Sequence, residues 1–195
     1  MGAATWTVAT ASIVTALGAI ASAYYARKAI GQQQANFDRQ IRDYQLTLHA
    51  KTILRFEQRF NDPDFKQIRC LAANALLAKQ DEEQAEDVFD FFETVGLFVK
   101  LGALTEEIAY SVFFHWVNLY WKAGKHHIGS KQQESAALWG DFERLYNSLC
   151  NIEKRTHADS DDLTMSESRL RHQLQEEAEL CSGAEAKVSS SSAKR

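Results

Sequence analysis

Val88-Phe-Asp-Phe-Phe-Glu-Thr-Val-Gly-Leu-Phe-Val-Lys-Leu-Gly102 is the stretch on which the fold class turns. Val88, Phe89, Phe91, Phe92, Val95, Leu97, Phe98, Val99 and Leu101 leave little polar surface at any angle around a helix. A helix that is apolar on all sides belongs at the centre of a bundle. This one is too short, and carries too many charges, to cross a bilayer. Gly102 supplies the C-terminal stop. Asp81 is expected to cap the helix, with Glu82, Glu83, Glu86 and Asp87 near its positive end, where carboxylates are favourable. That reading explains the acidic run as helix-start chemistry in preference to a metal site.

The same grammar repeats on either side. Thr105 caps a following helix that holds Ile108, Val112, Phe113, Trp116, Leu119, Tyr120 and Trp121. Gly124 and Gly129, flanking His126 and His127, predict a turn or a break there. Leu138, Trp139, Phe142, Leu145, Leu149 and Ile152 then recur at helical spacing over 134–156. Upstream, Asn61-Asp62-Pro63 contains the single proline of the chain and predicts a helix start, capped by Asp62 with Pro63 in the first turn. Phe65, Ile68, Leu71, Ala72, Ala75 and Leu76 follow on one helical face. No run of alternating β-branched residues predicts a strand.

Phe37, Ile41, Tyr44 and Leu48 are spaced 4-3-4, a short coiled-coil-like seam, and Ile53, Leu54, Phe56 and Phe60 resume an apolar face after Lys51 and Thr52. Residues 27–61 therefore read as one stalk helix entering the domain. Residues 1–26 carry no charged side chain. Trp6 and the Tyr24-Tyr25 pair bracket an apolar stretch long enough for a bilayer, and Arg27 and Lys28 follow it. This predicts a single transmembrane helix, with Trp6, Tyr24, Tyr25, Arg27 and Lys28 as interface anchors. The expected location is the inner (plasma) membrane, with the N-terminus outside and the domain in the cytoplasm. A cleaved signal peptide is the main rival, but no cation precedes the apolar run. Small residues four apart, from Ala3 through Ala23, would favour self-association in lipid.

After Ala158 the composition turns polar, and residues 159–195 are expected to form a mostly disordered tail, with Leu163, Leu170 and Leu174 on one weak amphipathic face. The expected architecture is all-α: an anchor (1–26), a stalk (27–61), a small antiparallel helical bundle (62–158) and the tail.

Charge is unevenly placed within a formal net charge of −4. Between Arg27 and Phe60 there are seven basic and three acidic residues, so the remainder is acidic. A basic collar beside an acidic body argues against nucleic acid and fits anionic headgroups or topology. The three cysteines, Cys70, Cys150 and Cys181, form no Cys-x-x-Cys motif. An odd number sits most easily in a reducing compartment. His115, His126 and His127 lack the Glu-x-x-His spacing of di-metal bundles, so no metal or cofactor is expected. Neither a nucleophile–base pair nor a phosphate loop occurs, so neither enzymatic activity nor a small-molecule substrate is indicated. Glu93, set among Phe91, Phe92 and Val95, needs a partner if buried, and Arg69 is the candidate for a structural ion pair.

Phe91-Phe92-Glu93-x-Val95-Gly96, Gly102-x-Leu104, Tyr120-Trp121 and Phe142-x-x-Leu145 together resemble a bacterial family of unknown function. Its members are short, all-helical and commonly carry an N-terminal membrane helix. The likeness runs from about Leu48 to Ile152 and implies architecture but no activity. The expected function is a membrane-tethered helical interaction or regulatory module, with the lipid bilayer and a protein partner or a second copy as its contacts. The alternative is a membrane effector of stress or phage-defence type that perturbs the bilayer on oligomerisation.

Overall fold

Asp62 and Pro63 open the first fully packed helix as their chemistry requires. The Asp62 carboxylate accepts the Asp64 N–H at 3.0 Å, and Pro63 occupies the first turn, where its missing N–H costs nothing. The structure, a computed structural model, describes residues 27, 32–34, 36–41, 43–157 and 165–179. The chain divides into two compact units, Met1–Thr47 and Leu48–Arg195. In the first unit, the described residues are helical and exposed. Helix α1 (43–61) leads into α2 (Pro63–Ala78), a 3-10 turn (Glu82–Ala85), α3 (Glu86–Lys100), α4 (Glu106–Glu134), α5 (Gly140–Thr156) and α6 (Glu167–Ala178). Every regular element among the described residues is helical, and the protein is all-α.

Helix α3 is buried on one face and open on the other, not covered all round as expected: Asp87, Asp90, Thr94 and Leu97 are exposed. Val88, Phe89, Phe92 and Val95 are fully buried, and α3 packs most extensively on α5. Phe92 stacks on Phe142 with ring centroids 5.4 Å apart, and Phe60 meets Phe91 at the same separation. Such offset and tilted aromatic pairs contribute beyond the area they bury. Two glycines set the close approaches. A Cβ on Gly96 would fall 2.2 Å from the Asp141 carbonyl oxygen, so only glycine lets the start of α5 lie against α3. A Cβ on Gly124 would fall 2.3 Å from the Phe89 ring. At the end of α3, Gly102 takes φ +70°, which ends the helix.

Several expectations are corrected. No helix among the described residues is long and apolar enough to cross a membrane, which overturns the single-pass inner-membrane placement. Residues 6–25, with Trp6, Tyr24 and Tyr25, lie outside the described residues, as does Lys28, whereas Arg27 is helical and exposed. Helix α4 runs unbroken through Gly124, His126, His127 and Gly129, because tertiary packing outweighs the propensity cost of two glycines. Asp81 does not cap α3. It adopts φ +50°, a conformation that aspartate tolerates, and its carbonyl accepts from Gln84 as the 3-10 turn begins. Helix α5 starts at Gly140, after Trp139 at φ +53°, rather than near Glu134. Part of the expected tail is α6, capped by Ser166 and packed on α2 and α4, with Leu174 and Glu177 buried. Cys70 is disulfide-bonded, contrary to the expectation of reduced thiols, and Cys150 is free and buried. The third cysteine, Cys181, is outside the described residues.

Candidate functional site

Arg69 projects from the middle of α2 into the bundle, where it is 3% exposed. A buried guanidinium must have its donors satisfied. Its Nε donates to Glu177 Oε2 at 2.8 Å, and its Nη2 donates to Glu177 Oε1 at 2.7 Å and to Oε2 at 2.6 Å. Nη1 donates to the Phe60 carbonyl at 3.0 Å. The flat cation lies 3.9 Å from the centroid of the Phe60 ring and 4.7 Å from that of Trp116. Aromatic faces attract a desolvated guanidinium through their quadrupoles, so this is a cage for a planar cation. Tyr120 closes the cage from α4, with its hydroxyl donating to Glu177 Oε2 at 3.2 Å.

Burial raises the Tyr120 phenol well above its ordinary value, and the adjacent Glu177 carboxylate raises it further. The hydroxyl is therefore a fixed donor, not a proton shuttle. The cluster is built to hold a carboxylate by bidentate, charge-assisted hydrogen bonds. A cavity of about 340 Å³, lined by Glu57, Asn61, Lys66, Val112 and Trp116 among others, opens on the ion pair.

The expected Arg69–Glu93 pair does not form. Glu93 Oε2 instead accepts the Phe142 backbone N–H at 2.6 Å and so satisfies a free donor at the start of α5. The carboxylate that Arg69 takes comes from α6, 108 residues further along the chain. A sequence signal for it existed in Leu170, Leu174 and Glu177, which share one helical face at i, i+4 and i+7. No local signal marked Phe60, Trp116 or Tyr120 as the walls of the cage.

The histidines take separate roles. His127 is buried, with Nε2 2.8 Å from Glu86 Oε1 and Nδ1 3.7 Å from Glu82 Oε2. His126 is exposed, and His115 packs edge-on to Trp116. Glu86 also draws Lys131, at 3.4 Å, and it is the first cause of the raised lysine pKa. The acidic run therefore serves ion pairs with α4 as well as the helix start. Among the described residues, no group of three or more His, Cys, Asp or Glu side chains is placed to hold a metal ion. Two further cavities line the surface of the bundle. One, of about 490 Å³, lies between α1 and α3 with Phe56, Phe91 and Phe98 in its walls. The other, of about 810 Å³, lies among α2, α4 and α6.

Residues 7–149 match the model of a family described as Domain of unknown function (DUF4760). The matched stretch contains Arg69, Phe60, Trp116 and Tyr120 and stops short of α6. No curated protein and no solved structure matches the chain.

Proposed function

We propose that this chain, which belongs to the family Domain of unknown function (DUF4760), acts as a helical interaction module that pairs with a second copy through the seam Phe37, Ile41, Tyr44 and Leu48. The observation that carries this reading is exposure. These four side chains lie on helical residues and are 61%, 42%, 65% and 42% exposed, although their spacing suits a helical partner. Apolar rows of this kind mark association surfaces on soluble chains.

Charge favours a second copy as the occupant. With Ile41 and Leu48 at a positions and Phe37 and Tyr44 at d positions, the flanking e and g positions include Gln33, Asp38, Gln40 and Gln45. In a parallel two-fold pair Gln40 meets Gln45 and Gln33 meets Asp38, so no like charges face one another. Nothing in this reading depends on a bilayer.

Sedimentation velocity of the full chain across a concentration series tests the proposal. The expected result is a reversible dimer that Ile41→Asp weakens by more than about a hundredfold, because the substitution buries an unpaired charge in the seam. A wild-type chain that stays monomeric at about 100 µM, well above the Kd of an ordinary specific dimer, refutes it.

A further inference from the structure

We propose that the cavity of about 810 Å³ among α2, α4 and α6 binds a single-chain aliphatic anion of the fatty-acid type, with its tail on an aliphatic floor and its head among cations at the rim. The site is distinct from the Phe37–Leu48 seam, and the inference does not rest on it.

The lining excludes some ligands and suits others. Leu76 and Leu77 from α2, Ala123 from α4, and Leu170 and Leu174 from α6 supply its apolar surface. No Phe, Tyr or Trp lines this cavity, whereas Phe56, Phe65, Phe91 and Phe98 line the smaller one between α1 and α3. A nucleobase or another flat ring gains by stacking on aromatic faces, and these walls have none. Aliphatic walls suit an alkyl chain, and the volume lies in the upper part of the range of small-molecule sites.

Charge selects the head group. Lys79, Lys122, Lys125 and Arg171 line the cavity against two carboxylates, Glu82 and Glu167, so the rim is positive on a chain whose net charge is −4. Of the two carboxylates, that of Glu82 is already engaged, with Oε2 lying 3.7 Å from His127 Nδ1. Among the described residues, Lys79, Lys125 and Arg171 make no ion pair, and all three are exposed. Lys79 also ends α2 at φ +53°, a backbone position that suits glycine better, so the helix stop itself carries a cation to the rim. Cations from three helices above aliphatic side chains complement an anion with an alkyl tail, as ammonium and guanidinium groups stay in water while the chain is buried.

Isothermal titration calorimetry of the full-length chain with sodium dodecanoate, far below its micelle-forming concentration, tests the proposal. One molecule is expected to bind per chain, with a Kd below about 100 µM. Decanoate should bind about tenfold more weakly, because each buried methylene contributes about fourfold. Dodecyltrimethylammonium has the same tail and the opposite charge. It should bind more than about tenfold more weakly than dodecanoate, although the net charge of the whole chain favours the cation. Lys125→Glu combined with Arg171→Glu alters two exposed helical positions and leaves the floor intact. That variant should keep the wild-type melting temperature and bind dodecanoate more than about tenfold more weakly. Absence of saturable dodecanoate binding up to about 1 mM, equal binding of the anion and the cation, or full affinity in the double variant overturns the proposal. Should the double variant fold poorly, the comparison of anion and cation on the wild-type chain decides.

Discussion

Gly96→Ala and Gly129→Ala are the same chemical change in two helices, and the structure assigns them opposite signs. At Gly129, in the interior of α4, an added Cβ meets nothing within 4 Å. The substitution there gains the helix-propensity difference of about 0.5–1 kcal/mol and has no steric cost. At Gly96 the Cβ would lie 2.2 Å from the Asp141 carbonyl oxygen and 2.7 Å from its carbon, where ordinary contact begins at 3.4 Å. The obstacle is backbone, so no rotamer change relieves it, and the start of α5 must move by more than about 1 Å. That movement strains the Phe142 N–H bond to Glu93. Overpacking of this kind costs about 3 kcal/mol, the upper part of its range, and the same propensity gain offsets about 1 of it. The net expectation is a loss of about 2 kcal/mol at Gly96 and a gain below about 1 kcal/mol at Gly129. Urea unfolding of the two full-length variants, with equal m-values as the control for the unfolded state, measures both. The midpoints of thermal unfolding should differ by about 6–12 °C. Shifts of the same sign in both variants, or a Gly96→Ala chain as stable as wild type, would show that the α3–α5 approach is not as tight as drawn.

Glu93→Ala removes the acceptor for the Phe142 N–H and is expected to cost about 0.5–2 kcal/mol in urea unfolding, whereas Glu93→Gln retains an acceptor oxygen and should cost less. The phenol of Tyr120 is raised in the folded state above its ordinary value of 10.0, by burial first and by Glu177 second. The stability it confers is therefore complete below about pH 10 and is lost as the pH rises beyond that, so Tyr120→Phe should flatten the alkaline limb of a stability profile measured from pH 8 to 11. Burial likewise raises the Cys150 thiol, so iodoacetamide at pH 8 should modify it more than about tenfold more slowly in the folded chain than in urea. Equal rates in the two states would mean that the thiol is not shielded.

Where the fold was legible, it was legible through local chemistry. Asp62-Pro63, Thr105 and Gly102 each mark a helix end because their preferences are satisfied by atoms within a few residues. The apolar run of α3 marks it as a core helix, but not the open face on which Leu97 and Leu101 are exposed. The misreadings arise where a distant partner or an unforeseen local backbone turn decides the structure. Gly124 and Gly129 look like a break until Phe89 is seen to occupy the space over Gly124. Asp81 looks like a cap, but the chain turns there with a positive φ. The candidate site was half legible. Arg69 stands out as a cation inside an apolar run, but its expected pairing with Glu93 rests only on the apolar setting the two share in sequence. Periodicity gives the face of a helix and not its neighbour, so Glu177 could be found only once α6 was seen docked on α2.

The α3–α5 interface also sets an order of events during folding. The two helices share the most extensive contact in the bundle, yet α4 and its flanking turns separate them in the chain. Their meeting requires closure of a long loop, and that entropic cost falls once α4 has formed and shortened the path between its ends. Local helices should therefore form early, and the docking of α5 should belong to the rate-limiting barrier or follow it. The kinetic signature would be a Gly96→Ala chain that unfolds faster with little change in refolding rate if docking is late, or refolds more slowly if α5 is already in place at the barrier.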